Sequence, residues 1–226
     1  MKKVLPFVII LIGLSVVIYP KAADMHASYK QDKLMQEWED EMAPGDQDSV
    51  STDPVQETAQ ESYINLDDVF DPSAKTEDAV SQERERASEA GTEESLGHQM
   101  LGIITIDKIN VNLPILRGAS QKNLKYGAGH LTGTVMPGRK GNSAIAAHRS
   151  REYGKNFNRL GEIQAGDVIS VKTRGGSFQY EVTGTKIVKP SDLSVLQESD
   201  GSILTLITCD TIDNPVNRLI VKAEKL

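Results

Sequence analysis

The feature that most constrains the fold of this chain is its division into an acidic part and a basic part. Residues 24–94 hold 21 acidic and 5 basic residues, whereas residues 98–226 hold 11 acidic and 17 basic residues. The acidic part has few aromatic side chains, so it cannot bury enough apolar surface to offset the entropy lost on folding. We therefore expect the folded domain in residues 98–226, which are numerous enough to form a core.

The amino-terminal end carries two lysines followed by an uncharged apolar run over residues 4–19. At about 1.5 Å per residue this run would cover roughly 24 Å, slightly less than a hydrocarbon core of about 30 Å. A cleaved signal peptide would need small residues at −3 and −1, and the nearby Ala22 and Ala23 have no small partner at −3. We predict an uncleaved membrane anchor over residues 1–23, with the amino terminus in the cytoplasm and the remainder outside.

The segment from residue 24 to residue 97 is predicted to be an acidic, mostly disordered linker, because it is polar and carries several prolines. Two stretches stand apart. Tyr29, Leu34 and Trp38 are spaced as on one face of a short helix. The apolar island over residues 63–70 either docks on the folded domain or is a scatter of apolar residues in a linker, and the sequence leaves both open.

The basic domain is a series of short apolar runs separated by Gly and Pro turn signals. No alternation of strands with long helices is present, which argues against a parallel doubly wound sheet. The pattern predicts a mainly all-β fold, an antiparallel or mixed barrel or sandwich. Strands are predicted at residues 101–106, 111–116, 143–148, 167–172, 178–188, 203–208 and 219–222, with helical turns at 120–126 and 156–160.

The single cysteine of the sequence, Cys209, ends an apolar strand and is followed by a polar loop. A lone cysteine excludes an intramolecular disulfide, and strand ends are where a rigid sheet holds functional groups at the surface. Arg218 opens the next predicted strand, so it would lie beside Cys209 if the two strands pair. A guanidinium there could stabilise a thiolate or a developing oxyanion. The alternatives are a buried, inert cysteine and a solvated surface arginine.

A nucleophilic cysteine needs a proton-transfer partner, and the chain has four histidines. His26 lies beside the predicted anchor and His98 at the domain edge, where a surface role is expected. His130 and His148 remain, and His148 closes a short apolar strand in the same way as Cys209. This placement favours His148 as the general acid/base, with a purely structural histidine as the alternative for either residue.

Two stretches of the basic domain carry a resemblance to a known family. The run TLITC at residues 205–209, with Arg218 following, resembles the active-site signature of sortases, which are cysteine transpeptidases. Residues 126–149 are similar to the sortase segment that ends in the catalytic histidine. The likeness covers residues 101–226 and implies a sortase-like eight-stranded β-barrel with short helices.

The resemblance also implies a role for each site residue. Cys209 would be the nucleophile, His148 the general acid/base and Arg218 the electrostatic stabiliser, and Thr208 would help to orient substrate or oxyanion. Sortase substrates carry an LPxTG-like signal. Its cleavage between Thr and Gly leaves a thioester on the cysteine, which a cell-wall amine resolves. The partners implied are secreted proteins with such a signal, peptidoglycan or its precursor amine, and membrane lipid around the anchor.

The resemblance implies that the loop over residues 189–201, between the fifth and sixth predicted strands, helps to form the sortase groove for the Leu and Pro of the signal. Its apolar residues are therefore candidates for substrate binding, with core packing under the loop as the alternative. These candidates are Pro190, Leu193, Val195 and Leu196.

The resemblance is greatest to the class D enzymes. Pilin-polymerising sortases usually carry a second apolar segment at the carboxyl end and an aromatic residue after Asp-Pro, whereas Asp71-Pro72 is followed here by Ser73. A pilin-polymerising sortase and a membrane-tethered cysteine peptidase remain as alternatives. A non-catalytic β-barrel binding module is the alternative from another class.

Metal-ligand spacings such as HxxxH or CxxC are missing from the sequence, so we expect no metal or other cofactor. The basic charge is spread along the domain and not concentrated, which argues against nucleic-acid binding. The predicted anchor and its orientation, together with the resemblance to sortases, describe a single-pass membrane protein with an extracellular catalytic domain.

Overall fold

The structure is a computed structural model that describes Met25 and residues 27–42, 58–70, 97, 99–152, 154–213 and 215–226. The predicted anchor over residues 1–23 lies outside these ranges. Among the helices in the described ranges, none has the length and apolar character needed to cross a membrane.

Eight strands form a closed barrel in the order β1-β2-β3-β4-β7-β8-β6-β5. The β2–β3 and β4–β7 pairs are parallel, and the other pairs are antiparallel. The eight-stranded barrel expected from the resemblance is therefore confirmed. The strands are β1 (Met100–Ile106), β2 (Val111–Arg117), β3 (Ala128–His130), β4 (Gly141–Ala146), β5 (Val168–Thr173), β6 (Gly176–Val188), β7 (Ser202–Cys209) and β8 (Arg218–Lys225).

Two local features differ from the sequence-based expectation. The strand β3 was not predicted, because its three small or polar residues have no strand-like pattern. The helix predicted over residues 156–160 is absent, and this prediction was wrong. Asn156 has φ of 48°, in the left-handed region that no α-helix uses, so the chain turns there. A short 3-10 helix, Leu160–Glu162, follows instead.

The strands β4, β7 and β8 are buried on both faces, which explains their near-continuous apolar runs. Side chains on successive residues of a strand point to opposite faces. Ile145, Leu206 and Val221 belong to the main core cluster, which lies inside the barrel. The other face contributes to a second cluster, here called the outer cluster. Its buried members from the barrel domain are Leu124, Leu131, Ala144, Ala146, Val188, Val195, Ile207, Cys209 and Ile220.

The residues described ahead of the barrel include three helices. The first, α1, covers residues 27–41 and packs Leu34 and Trp38 against the outside of β1 and β2. The helix α2 (Ala59–Ile64) begins at a capping box, and α3 (Leu66–Phe70) follows it. In this box the Thr58 hydroxyl accepts from the Glu61 amide, and the Glu61 carboxylate accepts from the Thr58 amide. A fourth short helix, α4 (Gln121–Tyr126), lies between β2 and β3.

The apolar island over residues 63–70 docks on the barrel, so the structure answers the question that the sequence left open. Tyr63, Leu66 and Phe70 are buried members of the outer cluster. We call residues 58–70 the covering segment, since they form a layer over the outer faces of β4, β7 and β8. The boundary of the catalytic domain at residue 98 stays a prediction.

Closure of the barrel depends on a close approach of β1 to β5 at Gly102. A Cβ on this residue would overlap the backbone carbonyl of Lys172. We expect Gly102→Ala to destabilise the barrel by about 1–3 kcal/mol, as overpacking does elsewhere. Thermal unfolding followed by circular dichroism would measure this. The matched control is Gly184→Ala, because a Cβ at Gly184 in β6 meets open space. Equal melting temperatures for the two variants would contradict the argument.

Candidate active site

Cys209 and Arg218 are cross-strand neighbours at one end of the barrel. They form the final pair of the antiparallel β7–β8 register, as expected if these strands pair. Both side chains are almost fully buried, with 5% of Cys209 and 3% of Arg218 exposed. A buried guanidinium beside a thiol supplies a fixed positive charge at the point where a thiolate would form.

His148 reaches the same end of the barrel from the other side of β7. Ala146 pairs with Ile207 in the parallel β4–β7 register, and the amide of Ala147 donates to the Ile207 carbonyl over 3.1 Å. His148 lies two residues after Ala146, and Cys209 lies two residues after Ile207. The three predicted site residues therefore come from the ends of three adjacent strands.

His130 is buried in a closed, hydrogen-bonded setting. Its Nε2 lies 2.9 Å from the Val135 carbonyl oxygen and 3.2 Å from the Thr134 hydroxyl. Burial lowers the pKa of His130, so the imidazole is neutral at neutral pH. These contacts hold the turn after β3 and give His130 a structural task. His26 and His98 lie outside the described residues.

Burial shapes the protonation of the candidate pair. It raises the pKa of the Cys209 thiol above its ordinary value, while Arg218 acts in the opposite direction. Burial also lowers the pKa of His148. With the covering segment in place, the thiol and the imidazole are therefore both neutral at neutral pH. A thiolate needs either a more solvated cysteine or a freer arginine.

The covering segment contacts this end of the barrel directly. The Asp67 carboxylate forms an ion pair with the Arg218 guanidinium. The Phe70 ring centroid lies 4.9 Å from the central guanidinium carbon of Arg218 and 5.5 Å from the His148 ring centroid. Cys209 lies in the same buried cluster as Phe70. A peptide could not reach the thiol unless residues 66–70 moved away.

The ion pair with Asp67 gives the buried charge of Arg218 an anionic partner. The Arg218 side chain is only 4% exposed, and a desolvated guanidinium is costly unless an anion faces it. Tyr63 lies near the same charge, and burial raises its pKa to about 12. Its hydroxyl is buried and has no hydrogen-bond partner among the described residues. The segment thus combines one favourable ion pair with one unsatisfied polar group.

The predicted substrate-binding residues occupy different positions. Val195 is buried in the outer cluster, and Leu193 and Leu196 pack against it from a 3-10 helix, Leu193–Leu196. Pro190 is only partly buried and is not part of that cluster. Thr208 is fully buried, and strand alternation puts its side chain on the face of β7 opposite Cys209.

A polar group on the outer face of the barrel holds the loop that carries Val195. Asn142 Nδ2 donates to the Val195 carbonyl over 2.9 Å, and the Thr205 hydroxyl donates to Asn142 Oδ1 over 2.6 Å. Lys222 Nζ also donates to the Val195 carbonyl, and burial lowers the pKa of Lys222 to about 8. Sequence reasoning missed these residues. The sequence pattern that could have identified them is the presence of polar residues among the outward-facing, mostly apolar positions of β4, β7 and β8.

The described residues contain no group of three or more His, Cys, Asp or Glu side chains that could hold a metal ion. The chemistry available at this end of the barrel is that of a thiol, an imidazole and a guanidinium. Such a set suits nucleophilic acyl transfer.

The ion pair of the covering segment generates a prediction about access to Cys209. Asp67→Ala removes the anion and should raise the rate of Cys209 alkylation by iodoacetamide roughly three- to tenfold, allowing for the partial exposure of Asp67. Mass spectrometry of the modified chain would follow the reaction. Asp68→Ala is the matched control, since Asp68 is exposed. A rate for Asp67→Ala equal to that of the control would mean that the ion pair does not hold the segment.

The pH dependence of alkylation should change in the same variant. Only the thiolate reacts, so the rate of the unaltered chain should rise with pH around a midpoint above the ordinary cysteine value of about 8.5. Loss of Asp67 removes a negative charge and exposes the thiol, and both changes lower the pKa of Cys209. The midpoint should therefore move to lower pH. A midpoint that stays fixed would contradict this account of the thiol.

Comparisons with known proteins agree with the barrel. The Sortase domain family model matches residues 104–226. Sortase D of Bacillus subtilis (strain 168) is 32% identical over 132 residues, and Sortase A of Bacillus anthracis is 30% identical over 126 residues. These matches cover 57% and 56% of this chain, but only 65% and 60% of the two relatives.

Solved structures extend the likeness to the helices that precede the barrel. A Clostridium perfringens Sortase D5 transpeptidase is 25% identical with a TM-score of 0.60, covering 88% of this chain and 99% of that one. A pilus-related Sortase C of Group B Streptococcus is 33% identical with a TM-score of 0.54, covering 57% and 68%. Because the family model matches more than half of the chain, the protein belongs to the Sortase domain family.

Proposed function

We propose that this protein is a cysteine transpeptidase that cleaves an LPxTG-like sorting signal between Thr and Gly and transfers the acyl part to a cell-wall amine. The observation that carries the proposal is the meeting of three strand ends on one face of the barrel. Cys209 and Arg218 are paired across β7 and β8, and His148 follows the strand on the other side of β7. This is the arrangement that acyl transfer through a thioester requires.

The chemical steps follow from these groups. His148 takes the proton of the Cys209 thiol, and the thiolate attacks the carbonyl carbon of the Thr–Gly bond. His148 then gives that proton to the departing amine of Gly, which leaves a thioester on Cys209. An amine from peptidoglycan or its precursor attacks the thioester, and its proton returns through His148 to the sulfur. Each step moves one proton between sites that the fold holds together.

Arg218 has two tasks in this scheme. With the covering segment in place it is neutralised by Asp67. When that carboxylate leaves, the guanidinium is free to face the thiolate and then the oxyanion of the tetrahedral intermediate. A donor of this kind typically contributes about 10²–10³ in kcat.

The outer cluster supports binding of the apolar part of the signal. Leu66 and Phe70 of the covering segment occupy it, which demonstrates that the surface accepts apolar side chains from a peptide chain. Val195 and its neighbours Leu193 and Leu196 form one wall. We propose that the Leu and Pro of the sorting signal bind where Leu66 and Phe70 lie, and that Thr208, whose side chain faces the barrel interior, does not contact them.

The likeness to Sortase D of Bacillus subtilis and to the Clostridium perfringens Sortase D5 supports assignment to the class D enzymes. We further propose an extracellular catalytic domain attached to the cell membrane by the apolar run over residues 4–19. Its partners would then be secreted proteins that carry the sorting signal. Pilus assembly, as in the name of the Group B Streptococcus enzyme, is the alternative within the family.

The test uses the full chain in mild detergent with an LPxTG-type peptide and a small amine, followed by mass spectrometry. The expected products are the Thr acyl adduct on Cys209 and the peptide joined to the amine. Cys209→Ala should form neither. Release of the free acid alone, with every amine tried, would instead identify a peptidase. An alkylation-inert Cys209 with no adduct from any related peptide would favour the binding module.

Two variants separate access from catalysis. Asp67→Ala should raise the rate of peptide transfer, because it uncovers the thiol and leaves Arg218 intact. Arg218→Ala also releases the covering segment, so alkylation of Cys209 should remain possible, yet transfer should fall by about 10²–10³ through loss of the oxyanion donor. Near-normal transfer in Arg218→Ala would remove the proposed role of this residue.

A further inference from the structure

Arg149, the residue after His148, reaches across to the end of the neighbouring strand. Its Nη1 donates to the Cys209 carbonyl over 3.3 Å and to the Asp210 carbonyl at a shorter distance. Its Nε has no partner within the part of the chain that the structure describes, so its hydrogen bonding is concentrated on the end of β7. One side chain therefore joins the backbone next to the candidate acid/base to the backbone of the candidate nucleophile.

The backbone around Arg149 is itself held in place. The Phe157 amide donates to the His148 carbonyl over 3.1 Å, and Arg149 forms a β-bridge with Asn156. The guanidinium also packs under the 3-10 helix after this turn. Its Nη2 lies 3.4 Å from the position that a Cβ on Gly161 would take, so the absence of a side chain there leaves it room.

We propose that Arg149 is a positioning residue that clamps the end of β7 to the segment carrying His148 and so fixes the sulfur of Cys209 relative to the imidazole. The proposal rests on the transpeptidase function argued above. It assigns to Arg149 a different task from that of Arg218, which lies across from Cys209 on β8 and donates to the Asn217 carbonyl and to Asp67.

Strand pairing alone does not hold the two reacting groups together. The last backbone hydrogen bond between these two segments runs from Ala147 to Ile207, and beyond it β7 continues to Cys209 against β8 alone. A displacement of about 1 Å between reacting groups can cost a hundredfold in rate. Arg149 spans this gap with a rigid guanidinium whose Nη1 reaches both carbonyls while its Nη2 packs under Gly161, a planar arrangement that a lysine cannot reproduce.

A second set of hydrogen bonds holds the loop after Cys209, and it does not use the carbonyls that accept from Arg149. The Asp210 carboxylate accepts from the Asn217 amide over 3.1 Å and from Asn217 Nδ2 over 3.0 Å. It closes the β7–β8 loop and does not pair with Arg149. The positive charge of Arg149 also favours the thiolate and lowers the pKa of Cys209. The other charged or titratable groups at this end of the barrel are Arg218, Asp210, Asp67 and His148.

The test is made in the full chain carrying Asp67→Ala, so that the covering segment does not limit access. Arg149→Met and Arg149→Lys are compared with Arg151→Met. Arg151 is the matched control, because it lies two residues on and forms only an exposed ion pair with Asp213. For each variant we would measure kcat and KM for peptide transfer, the pH midpoint of Cys209 alkylation and the melting temperature.

We expect Arg149→Met to lower kcat by about tenfold or more with KM changed less than about twofold, the size expected for hydrogen bonds from a charged donor. The alkylation midpoint should also move to higher pH. Arg149→Lys keeps the charge but not the planar guanidinium that packs under Gly161, so it should restore the midpoint and leave kcat low. Arg151→Met should match its parent in every measurement.

Two results would overturn the proposal. One is an Arg149→Met variant whose kcat and alkylation midpoint equal those of Arg151→Met. The other is a fall in kcat that follows a lower melting temperature in both Arg149 variants while the alkylation midpoint stays unchanged, since that pattern describes fold stability alone. If the parent chain transfers no peptide, the proposed function fails, while the alkylation midpoints of the variants still test the influence of Arg149 on the thiol.

Discussion

The pairing of β7 with β4 on one side and β8 on the other is the constraint on which the site depends. The parallel register with β4 and the antiparallel register with β8 end within two residues of each other on β7, so residues far apart in sequence emerge together. A shift of one residue in either register would turn Cys209 or Arg218 into the barrel interior. The two-sided burial of β7 therefore protects the chemistry as well as the core.

Burial at this end of the barrel has a second consequence, because it leaves a desolvated arginine that must be faced by an anion. The anion that faces Arg218 is the Asp67 carboxylate when the covering segment is in place, and it would be a thiolate or an oxyanion during reaction. The same charge that favours the reacting species thus favours closure when no peptide is bound. The hydrophobic contacts of Tyr63, Leu66 and Phe70 add to this closed state, since they bury apolar surface that would otherwise face water.

Much of this arrangement was predictable from residue patterns, and the exceptions have physical reasons. Apolar runs ending in Cys209 and His148 marked the strand ends, and turn signals marked most strand boundaries. The strand β3 escaped detection because Ala128–His130 is set by its partners on both sides and not by its own residues. The docking of residues 63–70 and the reach of Arg149 to Cys209 depend on tertiary geometry, which spacing along the chain does not reveal.

The covering segment belongs to the same chain as the groove that it fills, which makes it a tethered competitor at a fixed effective concentration. The fraction of molecules that are open is then a property of the protein and does not change with protein concentration. The apparent affinity for every incoming peptide would then be its intrinsic affinity multiplied by that open fraction. Closure would therefore lower the apparent affinity for all peptides by the same factor. The relative affinities of different sorting signals would be decided by the groove alone.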